Sequence, residues 1–174
     1  MLHIRTATPE DATVLALLGR VTYAESHGHF IQCKTHLLNY GDEAFAVSKI
    51  KSELNDPTIL YHIVTYDDFP VGYSKIVMHA SREEINSENI CRLERIYILD
   101  DFISKKIGIQ LLNKIIEEST ALGFEKIWLT VYIKNQRAIR FYEKNDFKTV
   151  GQMDYYVDGV PYENFVLAKN IQKQ

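Results

Sequence analysis

The stretch from Leu93 to Leu122 constrains this chain most. "LERIYIL" is rich in branched and aromatic residues and has strand character, and "DDFISKK" is polar. From there Ile107, Leu111, Leu112, Ile115 and Ile116 recur at helical spacing and stop near Gly123. A strand that turns directly into a helix sets the helix's first backbone N–H groups, unpaired and at the positive end of its dipole, beside the turn. That arrangement seats phosphate in many enzymes. The binding groups are amides, so most side chains are tolerated; glycine matters only where φ is positive or a side chain would block the anion. Gly108 is the expected point of close approach, and Lys105 and Lys106 make the turn locally basic. The candidate cradle is Ser104, Lys105, Lys106, Ile107, Gly108 and Ile109. The plain alternative is a solvated helix start.

The rest of the chain supplies a sheet for this turn to join. "HIRTAT" reads as a first strand. Thr8 then caps a helix with Pro9 at its first position and Asp11 three after the cap, its apolar face being Val14, Leu15, Leu17, Leu18 and Val21. Two more helices are expected at Cys33–Leu38 and Glu43–Leu54. "TILYHIVTY", the turn "DDFP" and "VGYSKIVMHA" form a hairpin. A polar loop, Ser81–Asn89, precedes "ICRLERIYIL". After the 107–122 helix come the strand "FEKIWLTVYI", a short helix from Asn135, and a closing hairpin of "FKTVGQMDYYV", "DG" and "PYENFVLAK". The order implies a mixed sheet with helices on both faces. With 174 residues and no Pro/Gly/Ser linker, 1–174 reads as a single domain.

Composition excludes some functions. The net charge of −3 argues against a nucleic-acid partner. No apolar run approaches the ~18 residues that would span a membrane, and "MLHIRTATPED" lacks the build of a signal peptide. Cys33 and Cys91 have no metal spacing and read as reduced, buried thiols of a cytoplasmic protein. "HGH" lacks a third ligand, so no metal is expected.

Two motifs carry a resemblance. "LERIYILDDFISKKIGIQLL", followed by "VYIKNQRAIRFYEKNDF", resembles the GNAT superfamily of acetyl-CoA-dependent N-acetyltransferases. "LERIYI" with "IWLTVYIKNQRAIRFYEK" looks like its PaiA-type branch, which acetylates polyamines such as spermidine and spermine. The sequence departs from the family pattern at Ile103, where Gln or Arg is usual, and at Lys106 and Asp146, where Gly is usual. The resemblance implies an α/β (α+β) fold with a mixed, mostly antiparallel twisted sheet of about seven strands. It implies acetyl-CoA as cosubstrate and a small primary amine as acceptor, the amine attacking the thioester directly. The alternatives are an acetyltransferase for a protein amine or an aminoglycoside, and a GNAT-like protein that holds coenzyme A without turnover.

The chemistry needs a neutral amine, a polarised carbonyl and a proton donor for the departing thiolate. Asn135, Ala138, Ile139 and Tyr142 share one face of the short helix. Asn135 could bond pantetheine or cap the helix, and Tyr142 matches the family's general acid. The family's strand bulge assigns Ile96, Tyr97 and Ile98 to pantetheine pairing. Glu94 is the candidate base. Glu25, His27, His29 and Tyr97 are further candidates for the acceptor pocket. An exposed strand edge or the closing hairpin would serve a homodimer.

Overall fold

Residues 1–31 and 33–172 are described by a computed structural model. Their strands are β1 (Leu2–Thr6), β2 (Ile59–Tyr66), β3 (Phe69–Met78), β4 (Ile90–Ile98), β5 (Lys126–Tyr132), β6 (Lys148–Val157) and β7 (Val160–Asn170). Their helices are α1 (Ala12–His27), α2 (Lys34–Ala44), α3 (Val47–Leu54), α4 (Ile107–Ala121) and α5 (Gln136–Glu143). The strands make one seven-stranded sheet in the order β1-β2-β3-β4-β5-β7-β6. Every neighbouring pair is antiparallel except β4 and β5, which run parallel. Among the described residues no helix is long and apolar enough to cross a membrane.

Two tight turns set the hairpins. Asp67 and Asp68 (φ 49° and 66°) join β2 to β3, and Asp158 and Gly159 (φ 49° and 76°) join β6 to β7. Both two-residue turns match the right-handed twist of their strands. The turn expected at "DDFP" is therefore shorter, and Phe69 and Pro70 belong to β3. Pro70 is accommodated because the β2–β3 register slips beside it.

Each face of the sheet carries a core. Cys91, Leu93, Ile107, Leu111, Leu112 and Ile115 pack under α4, while Leu15, Phe45, Ile50, Tyr61 and Tyr73 pack under α1 and α3. The buried stripe of α1 differs from the expected one. Leu15 and Leu18 are inside, but Leu17 and Val21 are exposed, and Ala12, Ala16, Gly19 and Thr22 take the core side. The reason is close approach: a Cβ on Gly19 would lie 2.3 Å from the Phe45 ring. Small residues, rather than the largest apolar ones, decide which side of α1 meets the sheet. The helix boundaries in 33–54 also shift, because the break falls at Phe45–Ala46, where the Phe45 ring drops into the core. Cys91 is buried as expected, whereas Cys33 is half-buried in the connection before α2.

Candidate active site

The site follows from one irregularity of the sheet. β4 pairs with β5 only at Ile90–Lys126, Cys91–Ile127 and Arg92–Trp128. Beyond that point β4 stays with β3 as far as Ile98, and β5 stays with β7 as far as Tyr132. The two strands part, and a cleft of about 1270 Å³ opens between them. That volume exceeds the few hundred Å³ typical of a compact ligand site, so it has room for a long cosubstrate and an acceptor together. A bulge contributes to the divergence: Lys75 pairs with Arg95 and Ile76 with Leu93, which leaves Glu94 as the extra residue of β4.

The Leu99 N–H donates to the Val71 carbonyl at 2.9 Å. Backbone direction alternates along a strand, so Tyr97 also faces β3 with its backbone, while Ile96 and Ile98 turn their N–H and C=O groups toward the cleft. Those groups form an open edge that an extended amide chain could extend by strand addition. Gly72 makes the β3–β4 contact possible. A Cβ there would lie 2.6 Å from the Tyr97 carbonyl oxygen and 2.3 Å from Ile98 Cδ1.

At one end of the cleft lies the start of α4. Asp100–Lys105 forms a short 3-10 turn, and Lys106 then adopts a left-handed conformation (φ 58°, ψ 25°). No side chain caps the helix, so its first amides are left for solvent or a ligand. Gly108 lines the cleft, and a Cβ on it would meet only Phe141 Cζ, at 3.9 Å. The protein's own packing therefore does not demand glycine there; the space in front of it does. Ile103, Lys106 and Ile109 share the lining. Three other members of the expected cradle point elsewhere. Ile107 is core, Ser104 is exposed, and the Lys105 ammonium lies 4.6 Å over the Tyr66 ring. Their side chains are not at the site, whatever their amides do.

α5 forms another wall. Asn135 caps it, accepting from the Ala138 N–H at 3.1 Å, so of the two roles expected for this residue the capping one is present. Tyr142 sits one face along, 8% exposed, with Phe141 and Phe147 edge-on to its ring. It lines the cleft, and its hydroxyl has no hydrogen-bond partner among the described residues. Burial pushes its pKa well above the usual phenol range, so the proton stays on oxygen at neutral pH.

The family model described as acetyltransferase (GNAT) family matches residues 27–147. The chain belongs to the GNAT acetyltransferase family. It is accordingly an acyltransferase, an N-acetyltransferase with acetyl-CoA as cosubstrate. An uncharacterized N-acetyltransferase of Mycobacterium bovis is 26% identical over 137 residues, which cover 78% of this chain and 83% of that protein. The crystal structure of PaiA N-acetyltransferase from Thermoplasma acidophilum in complex with coenzyme A aligns with a TM-score of 0.79 and 22% identity. The alignment covers 98% of this chain and 99% of that one. The spermidine/spermine N-acetyltransferase SpeG from Vibrio cholerae aligns with a TM-score of 0.68 and 17% identity, over 98% and 95% of the two chains. At these identities the two structures speak to the fold.

The GNAT cleft also extends into a chamber under α1, beside Arg95 and Tyr97. Tyr23 stacks on His27 and on Tyr40, both at 4.5 Å between ring centroids, and Tyr40 and Tyr155 share a hydrogen bond of 2.6 Å between their hydroxyls. Burial lowers the His27 pKa to about 4, so the ring is neutral at pH 7. Glu25 accepts from the Asp100 N–H at 3.1 Å at the rim. His29 also lines the cleft, its ring tilted against Phe30. Glu94 is committed elsewhere: the Lys75 ammonium sits 2.7 Å from it and 2.9 Å from Glu53. Burial works to raise the Glu94 pKa, but the Lys75 charge outweighs it and holds the carboxyl below its usual range. That pairing counts against Glu94 as a proton acceptor. Sequence reasoning passed over Lys75, and it also missed Arg95 and Tyr40 as chamber walls; nothing in the local pattern of those residues distinguishes them from core. Among the described residues no group of three or more His, Cys, Asp or Glu side chains is placed to hold a metal.

Proposed function

We propose that residues 1–174 act as one domain that transfers acetyl from acetyl-CoA to the primary amine of a small molecule. The observation that carries this is the parting of β4 from β5 after Arg92. It joins an uncapped helix start, an open strand edge and a tyrosine-walled chamber in one cleft. The α4 amides and Lys106 would hold the pyrophosphate, with Gly108 leaving room for it. The Ile96 and Ile98 backbone would pair with pantetheine, and an N–H of this edge is the donor available to a developing oxyanion.

The amine nitrogen attacks the thioester carbon, the C–N bond forms, and the C–S bond breaks with its electrons on sulfur. An alkylammonium has a pKa of about 10, so it must first lose a proton. The aromatic chamber assists by desolvating the charged form. Tyr142 would donate a hydrogen bond to the departing sulfur. The burial that keeps it protonated also opposes leaving a buried phenolate. Tyr142 therefore stabilises the thiolate chiefly as a donor, and the proton released by the amine ends on sulfur.

A polyamine acceptor rests on the "LERIYI" resemblance. A second reading, coenzyme A held without turnover, rests on Ile103 and on the strained Lys106. The test is thiol release from acetyl-CoA over a panel of polyamines, amino acids, aminoglycosides and a lysine peptide, beside calorimetry with coenzyme A. Turnover of any small amine supports transfer. Tight binding with no release across the panel supports the second reading. Fast turnover of the peptide alone would replace the small-molecule acceptor with a protein one. A homodimer would most readily pair the exposed edge strand β6 of two copies.

A further inference from the structure

One charged group in the chamber has no hydrogen-bonded counter-ion among the described residues. Arg95 is 8% exposed, and its guanidinium lies 4.7 Å over the Phe45 ring. One of its terminal nitrogens, Nη1, is fully buried without a hydrogen-bond partner among the described residues. None of its nitrogens lies within ion-pair distance of a carboxylate among those residues. Glu94, next in the chain, gives its oxygens to Lys75 at 2.7 Å and Arg92 at 3.7 Å. The groups that act on Arg95 are the phenols of Tyr73, Tyr40 and Tyr61 and then the Glu94 carboxylate, which is not at ion-pair distance from it. Yet Arg95 lines the cleft, on the side of β4 that faces α1.

A buried guanidinium without an anion is costly, and its fork of N–H donors matches a carboxylate in a plane. The cost is met when a ligand brings the anion. Building on the small-amine reading above, we infer that the acceptor carries an anionic group, a carboxylate, besides its amine, and that Arg95 seats it. The acceptor class is then an amino carboxylate whose body lies against the aromatic walls. Arg95 disfavours a polycation for the same reason: its unneutralised charge faces the space that an extended diamine would occupy. Of the carboxylates that line the cleft, Glu94 accepts from Lys75, Glu25 accepts from the Asp100 N–H, and Asp100 lies 3.9 Å from Arg137.

The test uses amines that differ only in the carboxylate: L-phenylalanine against 2-phenylethylamine, and L-lysine against cadaverine, each with acetyl-CoA. A hydrogen-bonded contact to a charged group corresponds to roughly ten- to a hundredfold in kcat/KM, and that preference for the amino acid is expected in at least one pair. Arg95→Met should bring the ratio close to one while coenzyme A binding by calorimetry stays as in the parent. Decarboxylated amines turned over equally well or faster in both pairs overturn the inference and leave acetyl transfer standing. Calorimetry of L-phenylalanine and L-lysine into the coenzyme A-loaded protein needs no turnover. Binding that is lost in Arg95→Met supports the Arg95 seat even if no amine is acetylated, in which case the transfer reading is the one that fails. Absence of both binding and preference overturns the Arg95 seat.

Discussion

Tyr142 is a residue whose burial and openness are both needed. Its ring is packed between Phe141 and Phe147, and its hydroxyl is left for the cleft. Tyr142→Phe keeps the packing and removes only the donor. kcat should fall ~10²–10³-fold if sulfur departure limits the rate, with a much smaller change in KM for acetyl-CoA. Unchanged kcat under chemistry-limited conditions would leave Tyr142 a packing residue. Lys106 shows the opposite compromise. Its φ of 58° is one that few residues other than glycine adopt cheaply. Lys106→Gly should therefore raise stability by about 1 kcal/mol in chemical denaturation, while removing an ammonium from the expected phosphate site and weakening coenzyme A modestly. Gly108→Val should leave the fold intact, since only Phe141 lies within 4 Å, yet weaken coenzyme A binding severely. Parent-like binding by Gly108→Val in calorimetry would move the phosphate site elsewhere.

At the scale of elements, β4 is held against β3 so closely that Gly72 has no room for a methyl group. A Cβ there meets backbone as well as a side chain, so relaxation has to move a strand. Gly72→Ala should destabilise the protein by about 1–3 kcal/mol, the usual cost of overpacking. It should also weaken coenzyme A binding, because the strand that shifts is the one presenting Ile96 and Ile98. Loss of stability with unchanged coenzyme A affinity would show that the β4 edge is not part of the binding surface. α5 contributes differently: Asn135 fixes its first turn through the Ala138 N–H, and that sets the height of Tyr142 in the cleft.

At the scale of the whole molecule, α4 is tied to the sheet by a buried relay. His62 on β2, wholly buried, meets Ser74 on β3 at 3.0 Å and Glu118 on α4 at 2.6 Å, and Lys114 meets Glu118 at 2.9 Å. Burial works to raise the Glu118 pKa, but hydrogen bonds from Lys114 and His62 outweigh it and the value falls below the usual range. A carboxyl lowered in the folded state adds stability above its unfolded pKa, near 4.3, and loses it as pH falls through the folded value. Denaturation of Glu118→Gln against the parent should show a gap at pH 6–7 that narrows below about pH 4. A gap that is constant down to pH 3 would mean that the ionised carboxylate does not support the α4–sheet contact.

The sequence by itself determined the order of the elements and the local relations that bring two helix starts to the cleft. Periodicity located the strand–turn–helix at Leu93–Leu122, and the Asn135–Tyr142 spacing put a capping group and a tyrosine on one helical face, because these relations are local and fixed by 3.6 residues per turn. Short-range chemistry likewise placed the Asp158–Gly159 turn. What only the tertiary structure decided depends on partners far apart in the chain. The buried side of α1 was set by Phe45 against Gly19, so Leu17 and Val21 stayed outside. The commitment of Glu94 was set by Lys75 on the neighbouring strand. Arg95 in "LERIYI" reads like any cation on a strand. Its lack of a paired counter-ion among the described residues follows from the phenols that β2, β3 and α2 bring around it and from the carboxylate that Lys75 holds. Long-range charge neighbours leave no periodic trace in sequence, because a pairing distance is a property of packing and not of spacing along the chain.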